Sequence, residues 1–531
     1  MTSRFNPINT AVFMCLLVVT QVAHSQSVEA HAMAELREIT VDASSDLGPM
    51  KPLRGVNSGP LPWSDRPAVE RLDGLVEVSD RTGYRSLGAD ASSGYRAANI
   101  ELVRIHDNYG PGDVYANFRG TREMADGTIV PASAFNALVM FPKPDADPAD
   151  AASYNFEPTD RLLQSIYGIG AKPLFRIGAS AGEQSGVPDS FTSERDFEHY
   201  AEIVHRVVLH YNKGWNRGFN YGVEQWEVLN EPDGRFDPLK YYTLYAKLAK
   251  SVKSADPDAA IGGPALMFNY NGPDYREDFL KYLRRNKLPL DFWSFHDYAI
   301  DSADPYLYVR IARDMRAMLD AHGFRKTRLV LSEWNVLGID PELLTLGGRA
   351  AFTASAIIYM QDSPIDEQTF YMGPNLFGED GNTPNKLGQA MVALGRMKDT
   401  PVRLHVSGDD KQGLAVLAGK SVDSSTINII ISNYEVPASL RAPRPDGDTV
   451  AGYINLLPRR SLSYAKNDGF DLRVTGLDPR KFYRVQRFRI NDVWDFRLLG
   501  TVTLKGGDVR IAQTLAPPSI ELLSISHAET P

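Results

Sequence analysis

Between residues 53 and 397 short apolar or β-branched runs alternate with longer stretches of helical period, and this rhythm constrains the 531-residue chain more than any other feature. The runs are 53–57 (LRGVN), 100–106 (IELVRIH), 172–178 (KPLFRIG), 225–231 (QWEVLNE), 259–266 (AAIGGPAL), 290–297 (LDFWSFHD), 329–335 (LVLSEWN) and 368–373 (QTFYMG). Helical patterns follow most of them, at 160–169, 194–211, 239–254, 275–286, 305–322, 347–361 and 385–397. Asp160, Ser193 and Asp304 or Pro305 stand at plausible helix starts. Strands that alternate with helices form parallel sheets, and eight such units predict a closed (β/α)8 barrel. A doubly wound open sheet is the second reading of the same pattern.

After residue 398 the rhythm changes to short alternating strands with turns, at 402–408, 413–419, 426–433, 449–456, 470–475, 481–490 and 500–523. This predicts a β-sandwich. Residues 37–44 (REITVDAS) could add an edge strand to it. The expected division is a signal peptide at 1–25, a leader with that possible edge strand at 26–52, a barrel at 53–397 and a sandwich at 398–531.

The signal peptide is read from Arg4, an apolar core from Ala11 to Thr20 and the small-x-small site Ala23-His24-Ser25. The core is too short to span a bilayer. The only cysteine, Cys15, falls inside it, so the exported chain has no thiol. A secreted or periplasmic location follows as an expectation, without membrane insertion. A net charge of -9 with no long basic run argues against a nucleic-acid partner.

In a (β/α)8 barrel the active site lies at the C-terminal strand ends. Those ends carry Asn57, Arg104, His106, Asp107, Arg176, Asn230, Glu231, Asp233, His296, Asp297, Tyr298, Glu333, Trp334, Asn335, Tyr371 and Asn375, with Glu183 and Trp63 in loops beyond. Glu231 and Glu333 each close an apolar run. Burial raises a carboxyl's pKa, and a second carboxyl nearby raises one of the pair further. One neutral and one ionised carboxyl is what glycoside hydrolysis needs. Strands four and seven face each other across the barrel, which can bring the two carboxyls to about 5–5.5 Å, the retaining geometry. An inverting enzyme would need about 6.5–9.5 Å.

On these residues the chain resembles glycoside hydrolase family 39, of clan A, a family that includes β-xylosidases, α-L-iduronidases and exopolysaccharide hydrolases. The resemblance runs in order through GVNSGP (55–60), LVRIHD (102–107), AKPLFRIG (171–178), WEVLNEPD (226–233), IGGPAL (261–266), DFWSFHDY (291–298), LSEWN (331–335), NTPNKLGQAMVALGRM (382–397) and RVQRFRIND (484–492). It implies a TIM barrel with a sandwich. It implies Glu231 as acid/base, Glu333 as nucleophile, Asn230 as the sugar 2-hydroxyl partner, and His296 and His106 as residues lining the sugar. Arg104 either pairs with Glu333 and lowers its pKa or forms a buried structural ion pair. Trp334, Tyr298, Tyr371 and Trp63 are candidate stacking platforms for sugar faces, while Trp226, inside a strand, reads as core. At strand eight the chain has Phe370-Tyr371-Met372-Gly373-Pro374-Asn375 where the family often carries a Trp-containing segment.

Nothing calls for a cofactor or a metal, since no H-E-x-x-H and no cysteine cluster is present. The expected activity is retaining hydrolysis of a neutral plant or microbial oligo- or polysaccharide, β-xylosidase-like. The alternatives are an exopolysaccharide endo-hydrolase, an iduronidase-like enzyme using Arg104, Arg176 or Arg349 for a uronate, or a silent carbohydrate-binding protein.

Overall fold

The computed structural model describes residues 36–61, 90–444 and 457–529, apart from 107, 109, 118–120, 124–128, 132, 181–185, 235, 301, 379 and 466–467. The apolar leader, Trp63, Asp107, Glu183 and the candidate strand 449–456 lie outside the described residues.

The chain opens with strand β1 (Leu36–Pro49). It then enters the barrel with β2 (Gly55–Asn57) and β3 (Leu102–Arg104), followed by a small hairpin, β4 (Thr121–Glu123) and β5 (Ile129–Pro131). The remaining barrel strands are β6 (Lys172–Ile177), β7 (Gln225–Val228), β8 (Ala260–Leu266), β9 (Phe292–Asp297), β10 (Arg328–Trp334) and β11 (Glu367–Phe370). All eight barrel strands pair in parallel, and the Phe370–Val56 pairing closes the ring. The closed barrel and the separate sheet bear out the expected fold, and closure excludes the open doubly wound sheet.

Helices fill the crossovers for local reasons. Ser193 and Asp196 form a reciprocal capping box at the start of the helix Glu194–Lys213, and Gly214 ends it at φ 73°. Asp237 caps Pro238–Ala255, and Asn385 caps Lys386–Gly395. Two expected starts move. Asp160 lies in the first turn of Glu157–Gly168, and the helix expected at Asp304 or Pro305 begins at Leu307.

Side chains alternate across each strand. Leu102, Leu174, Phe292 and Val330 form a small apolar cluster of their own, separate from the large core between the ring and its helices. Two residues further along β3, Arg104 reaches across the ring. The apolar cluster is therefore a floor beneath the polar groups at the C-terminal end.

The second unit is a nine-stranded sheet of β12 (Val402–Ser407), β13 (Leu414–Lys420), β14 (Thr426–Asn433), β15 (Gly469–Thr475), β16 (Phe482–Asn491), β17 (Arg497–Lys505), β18 (Val509–Thr514), β19 (Ser519–Ala528) and β1. Ile39, Leu404, Ile429, Leu472, Val485, Ile511 and Leu523, from both ends of the strand order, share one core, as in a sandwich. The run read at 500–523 divides among three strands. The N-terminal segment is not an edge strand: β1 lies between β12, antiparallel, and β15, parallel. At fourteen residues it is long enough to pair on both sides, with register shifts near Asp46.

The helix Leu346–Met360 joins the two units. Fourteen of its residues are buried, because one side faces the barrel and the other the sheet. Ser355 donates to the Gly413 carbonyl, and Ser432 donates to that of Ala351.

Candidate active site

Glu333 stands on β10, whose register shifts between Leu331 and Glu333 against β9 and between Leu331 and Trp334 against β11. Counting by twos from Val330 in the floor would put Ser332 inward and Glu333 outward. The irregularity turns Glu333 into the ring, as bulges do beside active sites. Trp334 then faces outward. It is fully buried, donates its Nε1–H to Gln368, and packs edge-on against Tyr308 and Phe370. Trp334 is thus a core residue and not the stacking platform expected. Trp226 is also core, stacked on Phe175.

Past the end of β7, Leu229 and Glu231 both have positive φ, 65° and 49°. Such conformations cost a non-glycine residue about 1–3 kcal/mol each. Their amides still pair across both flanks, Leu229 to the Ile177 carbonyl at 2.9 Å and Glu231 to that of Ala265 at 3.1 Å. The kink sends Leu229 into the outer core and presents Asn230 and Glu231 together on the inner side.

Arg104 organises what they meet. Its Nε donates to Glu227 at 2.6 Å, Nη1 to Asn57 at 3.0 Å and Glu333 at 2.9 Å, and Nη2 to Asn230 Oδ1 at 2.8 Å. Both readings of Arg104 therefore hold at once, since one guanidinium serves the site and a buried ion pair. This bond fixes which way round the Asn230 amide stands. Asn57 is held by the Ser332 and Thr369 carbonyls at 3.1 and 3.0 Å. His296 Nδ1 lies 3.0 Å from Glu231 and 3.8 Å from Glu333, and His106 Nε2 lies 3.4 Å from Glu333. The Tyr298 hydroxyl donates to Glu333 Oε1, and its ring meets Tyr371 edge-on at 5.8 Å. Tyr298 thus bonds the carboxylate directly, and half-buried Tyr371 supports it.

Burial raises the Glu333 carboxyl above its ordinary value, and the charge of Glu231 adds to the rise; Arg104 and Tyr298 pull against it. Arg104 thus lowers the Glu333 carboxyl as expected, but burial outweighs it. The guanidinium is shared with Glu227, so it limits the rise without reversing it. Burial alone would raise the Glu227 carboxyl too, but Arg104 brings it below its ordinary value. Burial depresses His296 to about 4, so the ring is neutral near pH 7 and can hydrogen-bond without adding charge. Burial raises Asp233 to about 6, while its oxygens accept the Met267 and Phe268 amides and fasten the neighbouring loop.

Glu231, His296 and Glu333 offer three donor atoms within 4.8 Å of one another. Each already has partners: His296 meets Glu231, and Glu333 accepts from Arg104 and Tyr298. The trio is therefore read as an acid–base group and not a cation site. Of the other arginines considered for a uronate, Arg349 donates to the Val336 and Ile339 carbonyls, and fully buried Arg176 pairs with Asp113. Sequence reasoning missed Glu227. Its signal was a charge inside the otherwise apolar run Trp226-Glu227-Val228-Leu229.

The sequence profile of glycosyl hydrolases family 39 matches residues 140–334, which include both glutamates. A glucosidase from Croceicoccus marinus has 30% sequence identity and a TM-score of 0.76, over 93% of this chain and 100% of that one. The chain belongs to glycosyl hydrolase family 39. A β-xylosidase of Geobacillus stearothermophilus is 29% identical over 163 residues, 27% of this chain and 31% of that protein. A β-xylosidase of Caldicellulosiruptor saccharolyticus is 22% identical over 331 residues, 54% of this chain and 65% of that protein. The chain thus spans less than two thirds of the length of either β-xylosidase.

Proposed function

We propose that this family 39 protein is a retaining glycoside hydrolase acting on neutral glycosides, with β-xylosides as the substrate class. The observation that carries the reading is the Glu231–Glu333 pair, which offers one carboxylate oxygen each within 4.8 Å, each in a different hydrogen-bond setting. Oxygens that close suit direct attack by one carboxylate at an anomeric carbon whose leaving oxygen the other protonates.

Glu333 accepts from Arg104 and Tyr298, which favours the charge there and leaves the proton of the pair to Glu231. Glu333 attacks the anomeric carbon as Glu231 protonates the departing oxygen. Glu231 then takes a proton from water, which releases the sugar from Glu333. Asn230, oriented by Arg104, donates to the sugar 2-hydroxyl.

The β-xyloside preference rests on the two curated relatives. A second reading, a glucoside, is favoured by the likeness to the Croceicoccus marinus glucosidase. The absence of an uncommitted arginine beside the carboxylates supports a neutral sugar over a uronide among the described residues. The apolar run Ala11–Thr20 behind Arg4 supports export of the enzyme.

The test is a panel of aryl xylosides, glucosides and uronides, with NMR of the first-formed anomer. Retention on a xyloside or glucoside is the expected result. Inversion, or activity on uronides alone, would reject the proposal. Glu333→Ala should abolish turnover. Glu231→Ala should keep the first step for good leaving groups and be rescued by azide.

A further inference from the structure

The proposed reaction has no direct task for Glu227, yet this carboxylate is fully buried beside the reacting pair. It lies four residues before Glu231, on the inward face of β7, and Arg104 Nε is 2.6 Å from its Oε2. The opposite side of the same guanidinium carries Glu333 at 2.9 Å. One cation thus stands between two carboxylates.

We propose that Glu227 is a positioning residue that anchors Arg104 and takes up part of its charge, and so sets the pH at which the Glu231–Glu333 pair works. The inference rests on the proposed acid–base roles of that pair and deepens them.

The physical argument has two parts. Geometrically, a guanidinium is a planar fork, so fixing Nε fixes the directions of Nη1 and Nη2. Glu227 therefore aims the two donors that orient Glu333 and Asn230. Electrostatically, an opposite charge within about 4–6 Å lowers a carboxyl pKa by roughly 1–3 units. An Arg104 without Glu227 would apply its whole charge to Glu333. The nucleophile would then be a weaker base, and the proton on Glu231 would be released at lower pH.

The ionisable groups around this centre come from several elements. Arg104 and His106 come from β3 and the segment after it, Glu231 and Asp233 from beyond β7, His296 and Tyr298 from β9 and its end, and Glu333 from β10. Tyr241, on the helix Pro238–Ala255, faces Glu227 from outside the ring, with burial holding its hydroxyl protonated. His296 is neutral near pH 7. Among the described residues, Arg104 is therefore the permanent cation of the cluster, and Glu227 is the anion on it that has no part in the proposed reaction.

The test is Glu227→Gln in the full-length protein, which keeps shape and an acceptor for Arg104 while removing the charge. Carbon-13 NMR of labelled glutamate carboxyls follows the titration, with Glu231→Gln and Glu333→Gln to assign the signals. The Glu333 carboxyl should titrate about one pH unit lower than in the wild type. The acid limb of kcat/KM on an aryl glycoside should move with it, and kcat should fall with KM little changed. A folded variant with both the titration and the acid limb unmoved overturns the proposal. If the wild type cleaves no glycoside, the proposed activity fails, and the carboxyl titration still decides this inference. If Glu227→Gln does not fold, Glu227→Asp keeps the charge and draws Arg104 away. It should lower kcat with the limbs in place, and unchanged kcat would overturn the anchoring role.

Discussion

Arg104 Nη2 lies 2.8 Å from Asn230 Oδ1, so the residue proposed to hold the sugar is oriented by the same guanidinium that holds the proposed nucleophile. Removing Arg104 should thus damage stability and activity together, for separable reasons. Arg104→Met leaves Glu227 buried without its cation, which should cost about 3–5 kcal/mol. The double variant Arg104→Met with Glu227→Leu removes one of the two carboxylates left without a cation and should recover part of that loss. It should recover none of the activity, because Glu333 and Asn230 remain unguided. Urea unfolding and aryl glycoside assays on the two variants check this. Stability that stays low in the double variant would refute the ion-pair account.

Tyr298→Phe removes one donor to Glu333 and leaves the ring against Tyr371. A hydrogen bond to a charged group is worth about 1.5–3 kcal/mol, so kcat/KM should fall roughly 10- to 100-fold. Thermal stability should change little. A variant with wild-type turnover would show that the hydroxyl has no catalytic effect.

The barrel was legible because eight short apolar or β-branched runs alternate with seven helical stretches, and each rule involved is local. The two glutamates were legible because charge at the end of an apolar run is costly unless used. What escaped was set by irregular backbone. The register shift after Leu331 decides that Glu333 points in and Trp334 points out, and no propensity at those residues announces it. The positive φ values at Leu229 and Glu231 likewise put two successive side chains on one side. Assigning Trp334 to the sugar site followed from treating every residue past a strand end as facing the ligand. The central place of β1 escaped because it pairs with strands more than 350 residues away, at Ser407 and Thr475. Glu227 was visible as an anomaly, but its partner lay on a different strand.

Trp334 supplies a direct contrast between core and site. Its ring is fully buried between Tyr308 and Phe370. Trp334→Ala should destabilise the protein by about 3–5 kcal/mol. Trp334→Phe should keep KM near the wild-type value at temperatures where the variant is folded. Calorimetry with Michaelis–Menten kinetics measures both, and a large rise in KM for the Phe variant with an unchanged Tm would restore the platform role.

The depressed His296 makes the fold sensitive to acid. In the unfolded chain a histidine protonates near pH 6.5, whereas in the folded protein it does so at about 4. Between those values the unfolded state binds the extra proton, so stability falls as pH falls. The contribution is fully present above pH 6.5 and declines down to about pH 4, by roughly 3 kcal/mol in total. Asp233 runs the other way. Its folded value of about 6 lies above the ordinary 3.8, so the folded state holds the extra proton in that window and loses its advantage as pH rises. The two therefore partly cancel between pH 4 and 6, and the wild-type curve alone will not display either. His296→Gln separates them. Its stability relative to the wild type should improve by about 3 kcal/mol as pH is lowered from 7 to 4, measured by urea unfolding at several pH values. A difference between the two proteins that stays flat across that range would show that His296 is not held neutral by burial.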